Sequence, residues 1–171
     1  TYQFNSKNNY SISNNDVRSI YEDSNKTLWI GTFGGGLNKF NLQTKKFDRI
    51  KSSNTISPDY IHSICGINKE EILIGTSGKG LITFNINSLS FQKKLYGIDK
   101  KINIVRCIEK DKNGGIWIGT DGVGLFKIKN INSQKPIVSN YINNTQSETY
   151  ISSNAIYTLM EDENSNIWLF F

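Results

Sequence analysis

The stretch Leu28-Trp-Ile-Gly-Thr-Phe-Gly-Gly-Gly-Leu37 returns as Ile72-Leu-Ile-Gly-Thr-Ser-Gly-Lys-Gly-Leu81 and again as Ile116-Trp-Ile-Gly-Thr-Asp-Gly-Val-Gly-Leu125. A fourth copy opens at Ile167-Trp-Leu169 and runs into Phe170 and Phe171. The steps between Trp29, Leu73, Trp117 and Trp168 are 44, 44 and 51 residues, so the last carries seven extra residues, which fall in the polar stretch 130–149. Self-similarity at this period is the mark of a repeat architecture.

A second motif precedes each copy. Val17-Arg-Ser-Ile20, Ile61-His-Ser-Ile64, Val105-Arg-Cys-Ile108 and Ile156-Tyr-Thr-Leu159 each begin 12 residues before the Trp or Leu that follows. A constant offset inside a variable repeat makes the two segments one unit, a hairpin. Between them lie Asp23-Ser-Asn-Lys-Thr27, Asp111-Lys-Asn-Gly-Gly115 and Asp162-Glu-Asn-Ser-Asn166, residues that bond their own backbone and tolerate positive φ. Further strands are expected after the Gly-rich loops, as Leu37–Phe40 and Leu81–Phe84, and then as Lys46–Ile50, Ser90–Leu95 and Ile137–Ile142. No segment keeps a 3.6-residue apolar spacing, which predicts almost no helix. Four short antiparallel strands per repeat give an all-β fold of propeller blades. The expected division is 17–60, 61–104 and 105–155 as blades and 156–171 as a partial one. Residues 1–16 would hold the last strand of a preceding blade, at Tyr2–Ser6, and its connecting loop. With both ends reading as open, the isolated chain is expected to self-associate or to belong to a longer polypeptide, because an unclosed ring leaves bare blade faces and edges. A stable monomer of 19.4 kDa in sedimentation would count against this.

Composition narrows the function. The chain is 37% hydrophobic and 20% charged, with a net charge of +5 whose Lys and Arg are scattered. That pattern is a solubilising excess and predicts no nucleic-acid partner, which would gather cations and aromatics on one face. Apolar runs are far shorter than the roughly 20 residues of a membrane helix, so no direct membrane contact is expected. Thr1-Tyr-Gln-Phe4 does not read as a secretory leader, as a mature or excised segment also would not.

The pairing of Val17-Arg-Ser-Ile-Tyr-Glu-Asp23 with Leu28-Trp-Ile-Gly-Thr32 and the following glycines resembles the two-component regulator propeller repeat. The copy starting at Val105 is nearly as close. The copy starting at Ile61 departs, with Leu73 for the Trp and Ile67 for the Asp, and the last has Leu169-Phe-Phe171 where Ile-Gly-Thr is expected. The resemblance spans essentially the whole chain. It implies part of a seven-bladed propeller in the extracytoplasmic sensor of a bacterial hybrid histidine kinase. Such sensors often carry two propellers, then an immunoglobulin-like domain, a membrane helix and a kinase. They detect carbohydrate fragments in the periplasm, so the resemblance implies an oligosaccharide or other small ligand, a location outside the cytoplasm, and no catalysis in this segment.

The residues divide into structural and functional candidates. Trp29, Trp117 and Trp168 recur at one strand position and read as core between blades, not as sugar platforms. Gly31, Gly75 and Gly119 open loops that join strands, where glycine permits tight turns and close blade contact; a nucleotide loop would lead into a helix. Asp23, Asp111 and Asp162 read as turn formers, since a calcium loop begun at Asp111 would need a Glu where Gly122 stands. His62 is the sole histidine and no Gly-x-Ser-x-Gly occurs, which disfavours a metal, a cofactor or a lyase of the kind some propellers form. Cys65 aligns with Tyr21 and Glu109 while Cys107 aligns with Ser19 and Ser63, so free buried thiols are expected. The register places Arg18, His62, Arg106 and Tyr157 at the second position of successive innermost strands. Asn15, Asp16, Asp59, Tyr60, Asn103 and Asn154 lie in the loops feeding them, and Phe33, Ser77 and Asp121 in the Gly-rich loops of the same face. A rim of Arg, Asn and aromatics suits a polar or anionic small ligand. The plainer alternative is that these side chains bond one another across blades.

Overall fold

A computed structural model describes residues 1–51, 56, 58–94, 96–98 and 101–171. Blade one contains β1 (Val17–Glu22), β2 (Leu28–Thr32), β3 (Gly36–Asn41) and β4 (Lys46–Arg49). Blade two contains β5 (Ile61–Gly66), β6 (Glu71–Thr76), β7 (Leu81–Asn85) and β8 (Ser90–Gln92). Blade three contains β9 (Val105–Lys110), β10 (Ile116–Thr120), β11 (Leu125–Lys129) and β12 (Ile137–Tyr141). Each is an antiparallel meander, and β13 (Thr158–Glu161) pairs with β14 (Ile167–Phe170) in a fourth, two-stranded sheet. Strands β1, β5, β9 and β13 neighbour one another in succession, the inner strands of a run of propeller blades. β8 ends at Gln92, short of the expected strand, and Leu95 lies outside the described residues.

The core sits between blades. Trp29 and Leu37 on the trailing face of blade one meet Ile61, Ile64, Ile72, Ile74 and Phe84 on the leading face of blade two. Leu73 and Leu81 meet Val105, Ile108, Ile116, Ile118 and Phe126, and Trp117 and Leu125 meet Ile156 and Leu159. Glycine is required at the closest approach. A Cβ on Gly31 would lie 2.4 Å from Ile61 Cγ2, and one on Gly75 or Gly119 would meet Val105 at 2.7 Å or Ile156 at 2.9 Å. The loop glycines serve differently. The N–H groups of Gly34 and Gly36, at positive φ, both donate to the Asp59 carbonyl. Gly78 and Gly80 donate likewise to Asn103, and Gly122 and Gly124 to Asn154. Each Gly-rich loop is thereby stitched to the entrance of the next blade's inner strand.

Two expectations need correction. Residues 2–6 form no strand, since no ladder partner lies beside them among the described residues. The Asn5 and Asn8 side chains instead accept the N–H groups of Lys7 and Tyr10, a local alternative to a ladder. The Tyr2 ring lies 5.0 Å from Phe40 at 69°, nearly the geometry in which Trp29 meets Phe84 (5.2 Å, 66°). Trp168, expected in the core, is 56% exposed, because no sheet covers the outer face of β13 and β14 among the described residues. Trp29 is 1% exposed and Trp117 is 9%. The seven extra residues divide in two: the β11–β12 loop spans 130–136 against 42–45 and 86–89 in the earlier blades, and the rest follow β12.

Candidate functional site

The rim owes its geometry to a repeated irregularity in the inner strands. Val17 pairs with Thr32 and Ser19 with Gly31, leaving Arg18 as the extra residue of a β-bulge. His62 is the extra residue between Ile61 and Ser63, and Arg106 between Val105 and Cys107. A bulge releases its residue from the ladder and re-aims the side chain. Three bulges in register therefore turn three cationic or titratable side chains toward one face. Backbone bridges Phe33↔Tyr60, Ser77↔Ile104 and Asp121↔Ala155 seal the loops between them.

The side chains form a nearly continuous chain of contacts. Arg18 Nε lies 2.7 Å from Asp16 Oδ1 and its second nitrogen 2.9 Å from Oδ2, a two-point pair. The same guanidinium lies over Phe33, 5.3 Å from the ring centre. Phe33 packs against Tyr60 at 4.9 Å and His62 at 5.3 Å, both entering from blade two. Arg106 binds Asp121 at 2.5 Å and lies 5.2 Å over Tyr157 of the fourth sheet. Arg106 Nε is shielded from solvent and finds no acceptor among the described residues. Half-buried His62 is held below the usual imidazole range, first by burial and then by Arg106 and Arg18; Asp121 and Asp16 oppose this weakly.

All eight expected site residues thus meet on one face: Arg18, His62, Arg106, Tyr157, Asp16, Tyr60, Phe33 and Asp121. The neighbouring loop residues do otherwise. Asn15 accepts the Phe4 N–H, Asn154 accepts the Asn143 N–H, and Asp59 and Asn103 serve through their carbonyls. The ion pairs and the Arg18–Phe33 contact lie within single blades, while Phe33–Tyr60, Phe33–His62 and Arg106–Tyr157 cross between blades. Sequence reading missed the bulges, although a small residue (Ser19, Ser63, Cys107) following each rim residue and facing a glycine marks their register.

The structural positions behave uniformly. The indole N–H of Trp29, Trp117 and Trp168 donates to Asp23, Asp111 and Asp162 at 2.8, 3.0 and 2.9 Å. Each carboxylate also accepts two turn N–H groups, as the turn reading requires. Cys65 and Cys107 are free thiols; Cys65 is buried, but Cys107, which follows the bulge and packs its sulfur over Gly119, is only partly so. Burial pushes them up to about 11 and about 12.

Fold and rim define a run of β-propeller blades with a polar, aromatic inner face. The two component regulator propeller family model matches residues 11–34 and 100–122. The two matched segments, each a blade's first hairpin and the start of its Gly-rich loop, are similar to two component regulator propeller repeats. No curated protein matches the chain. Among solved structures, one similar fold is described as the extracellular domain of the hybrid two component system BT4673 from B. thetaiotaomicron. It is 22% identical with a TM-score of 0.74, over 97% of this chain and 21% of that one. The corresponding domain of BT3049 from the same organism is 24% identical with a TM-score of 0.64, over 99% of this chain and 27% of that one. An auxiliary nutrient binding protein from Bacteroides thetaiotaomicron shares the fold at 9% identity and a TM-score of 0.66, over 98% of this chain and 41% of that one. The chain spans well under half the length of each.

Proposed function

We propose that this chain is the ligand-sensing propeller segment of an extracytoplasmic sensor in a hybrid two-component system. The ligand is a carbohydrate fragment, taken at the rim of Arg18, His62, Arg106 and Tyr157. One observation carries the reading: three successive inner strands bulge at the same position and aim Arg18, His62 and Arg106 at one face. Each bulge gives up a ladder position and re-aims the side chain of its extra residue, as bulges beside binding sites do. Aromatic faces beside Arg–Asp pairs offer a sugar both stacking surface and two-point hydrogen bonds. Ligand at this face, or between this propeller and a neighbour, would shift how the two sit, and that shift would reach a kinase across the membrane.

The similar structures support the reading through fold and described context, as domains outside the cell in two-component systems. The engaged guanidiniums favour a second reading, a propeller that binds a protein partner and no small ligand. Glycan-array binding by the intact extracellular region separates the two. With a glycan in hand, replacing Arg18 and Arg106 by Ala together is expected to weaken binding at least about tenfold, one lost charged hydrogen bond or more. Unchanged affinity in the double variant, with the β-sheet circular dichroism intact, removes the rim from the mechanism.

A further inference from the structure

Three departures from the repeat converge on one cavity at the other end of the strands, beneath blade three and away from the rim. It has a volume of about 790 Å³ and is lined among others by Ile67, Lys110, Lys127, Lys129, Asn132 and Ser133. The first departure is the loss of an acid. Blades one, three and four carry Asp23, Asp111 and Asp162 in this turn, while blade two offers Ile67. The second is a gain of cations. Lys110 stands where blade one has Glu22, blade two Gly66 and blade four Glu161; Lys129 stands where the earlier blades have Asn41 and Asn85. The third is the lengthened β11–β12 loop, whose Asn132 and Ser133 wall the cavity and a second one of about 710 Å³ beside it.

The charges do not cancel. Asp111 is buried and fully engaged by Lys127 at 2.9 Å, the Trp117 indole and two turn N–H groups. Lys127 is in turn committed to Asp111 and to the face of Trp117, 4.3 Å away. Lys110 and Lys129 are exposed, with no ion-pair partner among the described residues. The floor is open at the Gly114 turn, where an added Cβ would meet nothing within 4 Å. Asn132 holds the loop in place, donating to the Ile67 carbonyl at 3.2 Å and accepting from Asn68 at 2.9 Å. Structural lysines would recur with the blade, as Lys39 and Lys127 do over Trp29 and Trp117. Lys110 and Lys129 do not recur.

We infer that this cavity is an anion site, taking a doubly charged oxyanion group between Lys110 and Lys129, with polar contacts from the lengthened loop. Phosphate, sulfate and paired carboxylates share the required chemistry: compact negative charge and several acceptors for ammonium donors. The site does not depend on the rim reading, since the two lie at opposite ends of the strands.

The test is calorimetric titration of the whole chain at low ionic strength with inorganic pyrophosphate, sulfate and malonate in separate arms, which ranks the three chemistries. Saturable binding of at least one is expected below about 10 mM, the weak end of specific recognition. Amide shifts should be confined to Asn113, Gly114 and Ser133. The double variant Lys110→Glu, Lys129→Asn installs residues the chain already uses at these positions in blade one, so it should fold. It is expected to weaken binding at least about tenfold. Lys7→Glu with Lys101→Asn changes net charge equally and should leave binding within about twofold, as should Arg18→Ala with Arg106→Ala. Absence of saturation in all three arms, or equal weakening by the charge-matched control, would overturn the assignment.

Discussion

Blades one and three lock their hairpins with a polar triad, and blade two performs the same packing without one. In blade one Asp23 accepts the Trp29 indole N–H, and Lys39 lies over the indole; in blade three Asp111, Trp117 and Lys127 repeat the set. In blade two the three positions are Ile67, Leu73 and Thr83, and Ile67 and Leu73 are 3% and 0% exposed. The capping work of the missing carboxylate passes to Asn68, which accepts the N–H groups of Glu70 and Glu71. All three members change together because a half-changed triad is costly. An indole N–H without its acceptor, or a carboxylate buried without its donors, carries a desolvation penalty that neither complete set has.

Trp29→Ala should have the largest effect, about 3–5 kcal/mol in urea unfolding, because it empties a site flanked by Phe84 and Leu37. A loss below about 1.5 kcal/mol would mean that the first blade interface collapses to fill the hole. Asp23→Ile should cost less, about 1–3 kcal/mol, by stranding the indole N–H and two turn N–H groups. The triple exchange Asp23→Ile, Trp29→Leu, Lys39→Thr writes blade two into blade one and should be better than the sum of its parts by at least about 1 kcal/mol. Additive losses would show that the three positions do not act as a unit.

Much of this was legible in the chain. The 44-residue step and the 12-residue offset placed every hairpin, and Leu73 and Ile67 stood out as a paired exception before their contact was known. The third member, Lys39, Thr83 or Lys127, also lies at a constant spacing, ten residues after the Trp or Leu, but only the strand pairing shows that it stands opposite that residue. The bulges escaped because a one-residue slip leaves no trace in the apolar pattern when the extra residue is polar. The rim residues could be grouped by register alone, but their pairing could not: Arg18 turns back to Asp16, whereas Arg106 reaches Asp121 across the strand pair. The placement of Tyr2 was misread because apolar alternation does not reveal whether a partner strand exists, and Trp168 because burial of that position requires a following sheet.

Acid should separate the two kinds of hairpin more gently than mutation. Burial alone would raise Asp111, but Lys127, the Gly115 N–H and the Trp117 indole outweigh it and hold the carboxyl below its ordinary range. Hydrogen bonds from Asn166 and Trp168 bring Asp162 to about 2. A carboxylate depressed on folding contributes stability that is present above its unfolded pKa and is lost as pH falls through the folded one. Between pH 4 and pH 2, amide exchange should therefore quicken in the β9–β10 and β13–β14 turns. The β5–β6 turn, with Ile67 and the neutral Asn68, should change least. Equal quickening in all three turns would detach the acid response from the aspartates.

The smallest effect is expected at Trp168, which shares the aspartate lock of Trp29 and Trp117 but not their cover. Its indole N–H reaches Asp162 as theirs reach Asp23 and Asp111, yet more than half of the residue faces solvent. Trp168→Ala should then cost about 1 kcal/mol or less, several-fold below Trp29→Ala, although the hydrogen bond lost is the same. The contrast isolates what the blade interface adds to the lock. Beside it stands Phe170 in the place of Gly31, Gly75 and Gly119, where even a Cβ would crowd the following inner strand. A sheet packed on this face in the repeat's geometry must therefore bring a small residue where Ile61, Val105 and Ile156 stand. If Trp168→Ala instead costs as much as Trp29→Ala, the face is covered in solution.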